Sequence, residues 1–405
     1  MSNSHLKKIN INKLAVGMYV QAITDKKGKL SVKSQGHIKQ ACMIDILKKK
    51  GVVTLVIDTS KQLCELQNLK DVPDNEGDLE NCKKETLPEI SFSSEIDKAS
   101  KLYKQGKVIQ KSLMRSVKNG LPYDEQISKE FATEMVNSID RNSNALLCLT
   151  KIRDKDDYLL EHSLNVAILL ANFGKSIGMS SAEVEELAHA GFLHDIGKIK
   201  IPDDILNKPG RLTDSEMDVM RKHVVYGVET LKESSLNSSL IRVVSEHHER
   251  LDGLGYPYGK KGDEISQAGR MIAIADVYDA LTADRVYKSG MSGQKALQIL
   301  LKDCPEKYDH ILLQHFIKCM GIYPVGTLVK LSNERIAMVI EQNKEKPLKP
   351  KVNVFYSTRG NHYLEGKDLN LVESTVSIEK PVLANDYKID VKTIFERNVL
   401  ASISD

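Results

Sequence analysis

Apolar side chains recur at helical spacing through the middle of the chain, and this period gives way to short apolar runs or alternation towards both ends. From Leu6 to about Ile57, the runs Ala15-Val16-Gly17-Met18-Tyr19-Val20 and Val52-Val53-Thr54-Leu55-Val56-Ile57 predict strands around a helix near Lys39 to Lys50. Acidic and polar residues with two prolines, Asp71 to Glu89, read as a loop or flexible linker. Helical periodicity returns from Ser94 to Ser116 and from Asp124 to about Arg153. Ser180-Ser181-Ala182-Glu183 is a capping box that opens a helix with His194-Asp195 at its far end. Thr213-Asp214-Ser215-Glu216 opens the next, which is expected to carry His223. His162 shares an apolar-periodic segment with Leu164, Ala167, Ile168 and Ala171, and Asp276 follows Met271, Ile272 and Ile274 in another. After Tyr323-Pro324 the pattern alternates: Thr327 to Leu331, a turn at Asn333-Glu334, Ile336 to Glu341, then Lys351 to Tyr356.

The chain is therefore expected to be mainly α, with a small α+β domain at residues 1–70, a linker at 71–93 and a helical connector at 94–153. A helical bundle follows at 154–322, and a β-rich carboxy-terminal extension at 323–405. With 405 residues, 41% of them hydrophobic, it can bury a core comfortably and is expected to contain two or three domains. The net charge of +3 gives no strong basic field, and the absence of Trp leaves no stacking platform for single strands, so no nucleic-acid polymer is expected as a partner. The opening Met-Ser-Asn-Ser-His-Leu-Lys-Lys lacks a following apolar core, and stretches such as Val166 to Ala171 fall short of a membrane span. Cys42, Cys64, Cys82, Cys148, Cys304 and Cys319 show no paired spacing and read as reduced thiols. A soluble, cytoplasmic protein with no membrane contact is the expectation.

Candidate chemistry sharpens this picture. His247-His248-Glu249-Arg250-Leu251-Asp252-Gly253-Leu254-Gly255-Tyr256-Pro257 runs two adjacent imidazoles into a glycine-rich turn, whose Asp252-Gly253-Leu254-Gly255 offers positive-φ positions. His162, His194-Asp195 with Lys198, and His223 precede it, and Asp276 follows. Imidazole and carboxylate together suit iron, manganese, zinc or nickel. Seven donors exceed what one tetrahedral ion takes, so two ions sharing a bridging carboxylate, with a water or hydroxide between them, are the economical reading. Such a pair, about 3.5 to 4 Å apart, suits hydrolysis of a phosphodiester. Asp279, one helical turn after Asp276, is placed to orient a ligand imidazole or to meet a ribose hydroxyl.

The pattern H...HDxxK...H...HHExxDGxGYP...D resembles the HD-GYP phosphodiesterase family, a branch of the HD metallohydrolase superfamily, from about Asp154 to Ile322. The flanking words HDIGKIKIPDDILNKPGRLT and RMIAIADVYDALTADRVYK carry the same likeness. The resemblance implies an HD-type helical bundle in which His162, His194, Asp195, His223, His247, His248 and Asp276 hold metal, with Asp195 as the bridge. Family members with a third metal place an acidic residue four positions before the first ligand, where this chain has Tyr158, so two ions, iron or manganese, are implied. Lys198 resembles the family lysine that meets a substrate phosphate, and Arg285 and Lys288 match its following basic pair, although Val286 stands where proline is usual. The implied reaction opens cyclic di-GMP to linear pGpG, in some members onward to GMP, with Asp195 and Lys198 carrying the catalysis. Residues 1–70 look like the small domain of unknown function that often precedes this catalytic type.

Blander readings apply to the rest. His189, five residues before His194, points about 140° away around a helix and reads as surface or core. His5, His37, His310, His315 and His362 have no partners at ligand spacing. Glu249 reads as a support for His247 or one half of a salt bridge, and Arg250 as solvated. Lys198, Arg285 and Lys288 have the alternative of being solvated helix-end cations. The helical connector either packs against the bundle or mediates homodimer contacts. A cyclic GMP-AMP substrate, another HD-type hydrolase of mononucleotides or polyphosphates, and a catalytically idle dinucleotide sensor stand as alternatives.

Overall fold

The computed structural model describes residues 6–14, 18–24, 30–31, 36–37, 48, 52, 54–58, 90–119, 125–152, 158–234, 236–283 and 290–395. The chain divides into two compact units, Met1–Lys83 and Lys84–Asp405. In the first, β1 (Leu6–Asn10), β2 (Tyr19–Thr24), β3 (Leu30–Ser31), β4 (Gly36–His37) and β5 (Thr54–Asp58) form an antiparallel sheet of order β1-β5-β2-β3, with β4 also on β2. Ile11, Leu14, Val20, Leu55 and Ile57 are its buried cluster. Of the helix expected near Lys39 to Lys50 only Lys48 is described, in helical conformation, and the linker at Asp71 to Glu89 lies outside the described residues.

The second unit begins with an antiparallel pair, α1 (Phe92–Lys118) and α2 (Glu125–Leu149). The Ser91 hydroxyl caps α1 by accepting the Ser94 N–H, and Phe92, Ile96, Ala99, Tyr103 and Leu113 line its buried side. Helix α2 breaks at Asn142 (φ −163°, ψ 102°), whose amide donates to Ile90 O at 2.8 Å and accepts the Asn144 N–H at 3.0 Å, restarting the helix. The centre of the unit is α3 (Tyr158–Ser176), buried throughout from Leu164 to Phe173, where only Asn165 and Asn172 are polar.

Helix α4 (Ser181–Leu193) starts in the expected Ser180/Glu183 capping box and leads through a short 3₁₀ turn, Ile196–Lys200, to α5 (Asp203–Leu206). The Thr213/Glu216 box opens α6 (Asp214–Arg221), but this helix stops short of His223, which the spacing had placed on it. His223 is the first residue of a new helix, α7 (His223–Lys232). Its ring takes the Met220 carbonyl at 2.7 Å, the acceptor a continuing helix would use for the Val224 N–H. Helices α8 (Ser238–Glu246), α9 (Gln267–Thr282), α10 (Gly293–Lys302) and α11 (His310–Met320) complete the bundle.

An antiparallel sheet of β6 (Leu328–Leu331), β7 (Arg335–Glu341), β8 (Lys351–Ser357), β9 (His362–Asn370) and β10 (Ile378–Pro381) follows in order β10-β6-β7-β8-β9, before the short α12 (Val391–Phe395). Strand β7 is buried on both faces: Ile336, Met338 and Ile340 join the helical core, whereas Ala337 and Val339 pack within the sheet. The alternation located β6 to β8, while β9 and β10, mostly polar and exposed, gave no comparable signal. Among the described residues, no helix is long and apolar enough to cross a membrane, and Cys148, Cys304 and Cys319 are free thiols.

The α1–α2 pair depends on Glu95, which is buried and accepts Ser138 Oγ at 2.7 Å and both Arg141 Nη2 (2.7 Å) and Nε (2.9 Å). Arg141→Ala strands that carboxylate without its cation and should destabilise the unit by about 3 kcal/mol. Denaturant unfolding measures this, and a loss below about 0.5 kcal/mol contradicts the assignment.

Candidate metal centre

Five elements deliver the seven donors expected from the sequence. His162 stands within α3 and Asp276 within α9; His194 ends α4, with Asp195 following it; His223 begins α7; His247 ends α8, with His248 next. Gly197 allows the 3₁₀ turn after Asp195 to lie on α7, because a Cβ there would stand 2.0 Å from His223 O. Only glycine fits that approach.

The two oxygens of Asp195 face different neighbours. Oδ2 lies 3.5 Å from His162 Nε2, 3.4 Å from His194 Nε2 and 2.5 Å from Lys198 Nζ. Oδ1 lies 3.4 Å from His223 Nε2 and 4.0 Å from His247 Nε2. Asp276 Oδ1 is 3.0 Å from His162 Nε2 and its Oδ2 is 3.5 Å from His248 Nδ1. Three sets can each hold a cation: His223, His247 and His248; His162, His194 and Asp276; and His194, Asp195 and His247. All seven side chains thus meet in one place.

A metal fits what the protein leaves unsatisfied. His194 Nε2 and Asp195 Oδ1 are buried and take no hydrogen bond, a costly state for two polar atoms within one cluster. Nitrogen and oxygen donors without thiolate suit a divalent ion of intermediate hardness. Burial alone would push the Asp195 carboxyl up, but His194, Lys198 and His162 outweigh it and hold it well below the usual carboxylate range. Asp276 is likewise depressed against the effect of burial, by His162, His248 and His194. Burial lowers His223 to about 4 and His248 to about 3, and drives His247 well down, so these imidazoles offer lone pairs at neutral pH. His162 is the exception: burial lowers it, yet Asp276 and Asp279 raise it to about 9 in the metal-free protein.

The other expected residues fall into place unevenly. Lys198 lies in the 3₁₀ turn with its side chain 19% exposed and pairs with Asp195. Asp279 is buried behind the first imidazole, its Oδ2 2.8 Å from His162 Nδ1. Arg285, Val286 and Lys288 lie outside the described residues, and Tyr158 is the first residue of α3. His189 is a core residue, 2.7 Å from Ser128 Oγ and lowered to about 4 by burial and Lys129. His310, His315 and His362 are exposed.

Three readings change. Among the described residues, the Glu249 side chain forms no hydrogen bond or ion pair with His247 or a cation: it is buried and accepts the backbone N–H of Tyr258 (2.7 Å) and Lys260 (3.0 Å). Arg250 is half-buried and paired with Asp252, not solvated. In the glycine turn, Gly253 has φ +75°, but Gly255 is needed for space, since its Cβ would stand 2.6 Å from Glu249 Cα. Glu246 escaped the sequence reading altogether. Fully buried, it accepts Arg242 Nε, Lys260 Nζ, Ser266 N and Ser266 Oγ, fastening the end of α8 to the start of α9. Only the Arg242 partner, one turn away, was visible as a pattern.

A helical bundle that gathers imidazoles and carboxylates in this way defines a metal-dependent hydrolase of the HD type, and the HD domain family matches residues 147–312. A domain of unknown function (DUF3391) matches residues 6–126, and a KOW domain associated with HD domain matches residues 328–389. The chain is 34% identical over 370 residues to cyclic di-GMP phosphodiesterase PA4108 of Pseudomonas aeruginosa, covering 87% of this chain and 86% of that protein. It is 35% identical over 211 residues to a cyclic di-GMP phosphodiesterase of Thermotoga maritima, 51% of this chain and 56% of that protein. It is also 36% identical over 170 residues to 3'3'-cGAMP-specific phosphodiesterase 3 of Vibrio cholerae, 42% of this chain and 37% of that protein. The chain belongs to the HD-GYP family of cyclic di-GMP phosphodiesterases, within the HD metallohydrolase superfamily.

These imidazoles set the pH response of metal-free protein. Histidines held below 6.5 bind protons more readily unfolded, so their contribution is intact above 6.5 and is lost as pH falls towards 4. His162, raised to about 9, acts oppositely: its contribution is full below 6.5 and fades as pH rises through 9. The melting temperature of chelator-stripped protein should therefore fall between pH 6.5 and 5, and a flat profile there contradicts the assignment.

Proposed function

We propose that this chain hydrolyses cyclic di-GMP to linear pGpG with two divalent cations held by His162, His194, Asp195, His223, His247, His248 and Asp276. The placement of Asp195 carries the reading: one oxygen serves the His162 and His194 side, the other the His223 and His247 side, so two clusters share one carboxylate. The substrate follows from the likeness to PA4108, which extends over 87% of this chain. Two bound cations would polarise a phosphate oxygen and lower the pKa of a water. The nitrogen and oxygen donors favour iron or manganese.

The chain's own groups position and balance charge. Gly191, Met220 and Val244 carbonyls accept from Nδ1 of His194, His223 and His247, each at 2.6–2.7 Å, leaving Nε2 of each ring turned inward. Asp279 performs the same service for His162. Lys198 supplies positive charge beside Asp195, where a phosphate's non-bridging oxygens would gather negative charge. Arg285 and Lys288 are assigned the remaining phosphate contacts on their family positions. Residues 154–322 form the catalytic domain on this reading.

The test incubates purified protein, loaded with iron or manganese, with cyclic di-GMP, cyclic GMP-AMP and cyclic di-AMP, and resolves the products by chromatography. Linear pGpG is expected from cyclic di-GMP, with little product from the others. His194→Ala and Asp195→Ala should reduce turnover to background, and Lys198→Ala should lower kcat about 100-fold. Preferred turnover of cyclic GMP-AMP would reassign the substrate. Inertness of metal-loaded protein towards all three would refute the enzyme reading in favour of a sensor.

A further inference from the structure

Four of the five imidazoles in the centre are fixed from behind by a hydrogen bond. His162 Nδ1 meets Asp279, and His194, His223 and His247 use Nδ1 on the carbonyls of Gly191, Met220 and Val244. His248 differs. Neither of its ring nitrogens makes a hydrogen bond among the described residues, and it turns Nδ1, not Nε2, towards Asp276 at 3.5 Å. Its side chain is 22% exposed, against 2% or less for His162, His194, His223 and His247. Packing alone therefore holds this ring, against His247 (centroids 4.1 Å apart) and His223 (5.2 Å) on the inner side and against Tyr256 as its neighbour outside the cluster.

We infer that Tyr256 is the positioning residue for His248, its ring face replacing the missing hydrogen bond. The two rings lie 4.6 Å apart at 37°, and the Arg221 guanidinium stands over the Tyr256 ring, 5.6 Å from its centroid. The tyrosine is itself held. Its backbone N–H donates to His248 O at 3.2 Å, and the buried Glu249 carboxylate ties down Tyr258 and Lys260 on the far side of the turn. Gly255, pressed on Glu249 Cα, sets the approach. The Tyr256 hydroxyl makes no hydrogen bond among the described residues, so the flat face alone is the working part. Because His248 groups with His223 and His247 and not with His162 and His194, loosening it should weaken one cation position and spare the other.

The inference rests on the two-cation reading above, and calorimetric titration of metal-stripped, full-length protein with Mn²⁺ separates the two. Wild-type protein should take two ions. Tyr256→Ala should weaken one of them by about 10- to 100-fold and leave the other, a pattern His248→Ala should exaggerate. Tyr256→Phe should titrate as wild type. Tyr256→Leu fills the space without a planar face, and, if the alanine variant fails to fold, it decides the matter by showing the same one-ion loss. Wild-type titrations for Tyr256→Ala and Tyr256→Leu, or a loss in Tyr256→Phe equal to that in Tyr256→Ala, would overturn the inference alone. Failure of wild-type protein to take up any ion would overturn the metal reading with it.

Discussion

Asp195 has no surface in water, and a carboxylate in that setting costs several kcal/mol unless charge and hydrogen bonds compensate. Nearby, Asp276 and Asp279 are almost as deeply buried. Against these three acids the pocket offers Lys198 and a protonated His162, while burial keeps His223, His247 and His248 neutral. Among the described residues, the side chains alone leave this cluster short of positive charge. That deficit, with the unsatisfied His194 Nε2 and Asp195 Oδ1 inside it, explains why so many elements are brought to one point and why the point suits cations.

The way the bundle delivers its imidazoles repeats a single local device. His194, His223 and His247 each use Nδ1 on the carbonyl three residues earlier, and each stands at a helix boundary. Final carbonyls of a helix lack intrahelical partners, so a ring that fills this vacancy stops the helix and fixes its own orientation together. Helix termination and the alignment of the ring are therefore one interaction. The same bond explains why α6 ends short of His223 although the capping box and periodicity suggested continuation. His162 and Asp276, inside helices, lack that option: the imidazole is steadied by Asp279 across the α3–α9 contact.

What could be seen in the sequence was what is local or strongly patterned. Both capping boxes, the central α3 and the adjacent His-Asp and His-His pairs have signals within a few residues, and the seven donors converge as their types suggested. The supports were hidden because their partners are distant or have no side-chain signature. Glu249 binds backbone groups nine and eleven residues on, and Glu246 reaches Lys260 and Ser266. The break at Asn142 depends on a carbonyl from Ile90, 52 residues away. Strands β9 and β10 escaped because their polar, solvent-facing residues leave no alternation to read.

Polar contacts give the leading helix pair a direct mechanical bearing on the site. Lys107 of α1 pairs with Glu161 at 2.9 Å, the residue before His162, and Tyr103 donates to Asn165, three residues after it, at 2.8 Å. These contacts bracket His162 on both sides. Each is largely shielded from water, so neither can be exchanged cheaply for solvent. Sliding α1 along α3 would break both at once, so the two contacts tie α1 and the His162 segment into one body. Helix α2 extends that body to the sheet, since Cys148 near its end packs on Met338 of β7. The position of the first imidazole is thereby set by the helices that precede it and the strands that follow it, not by α3 alone.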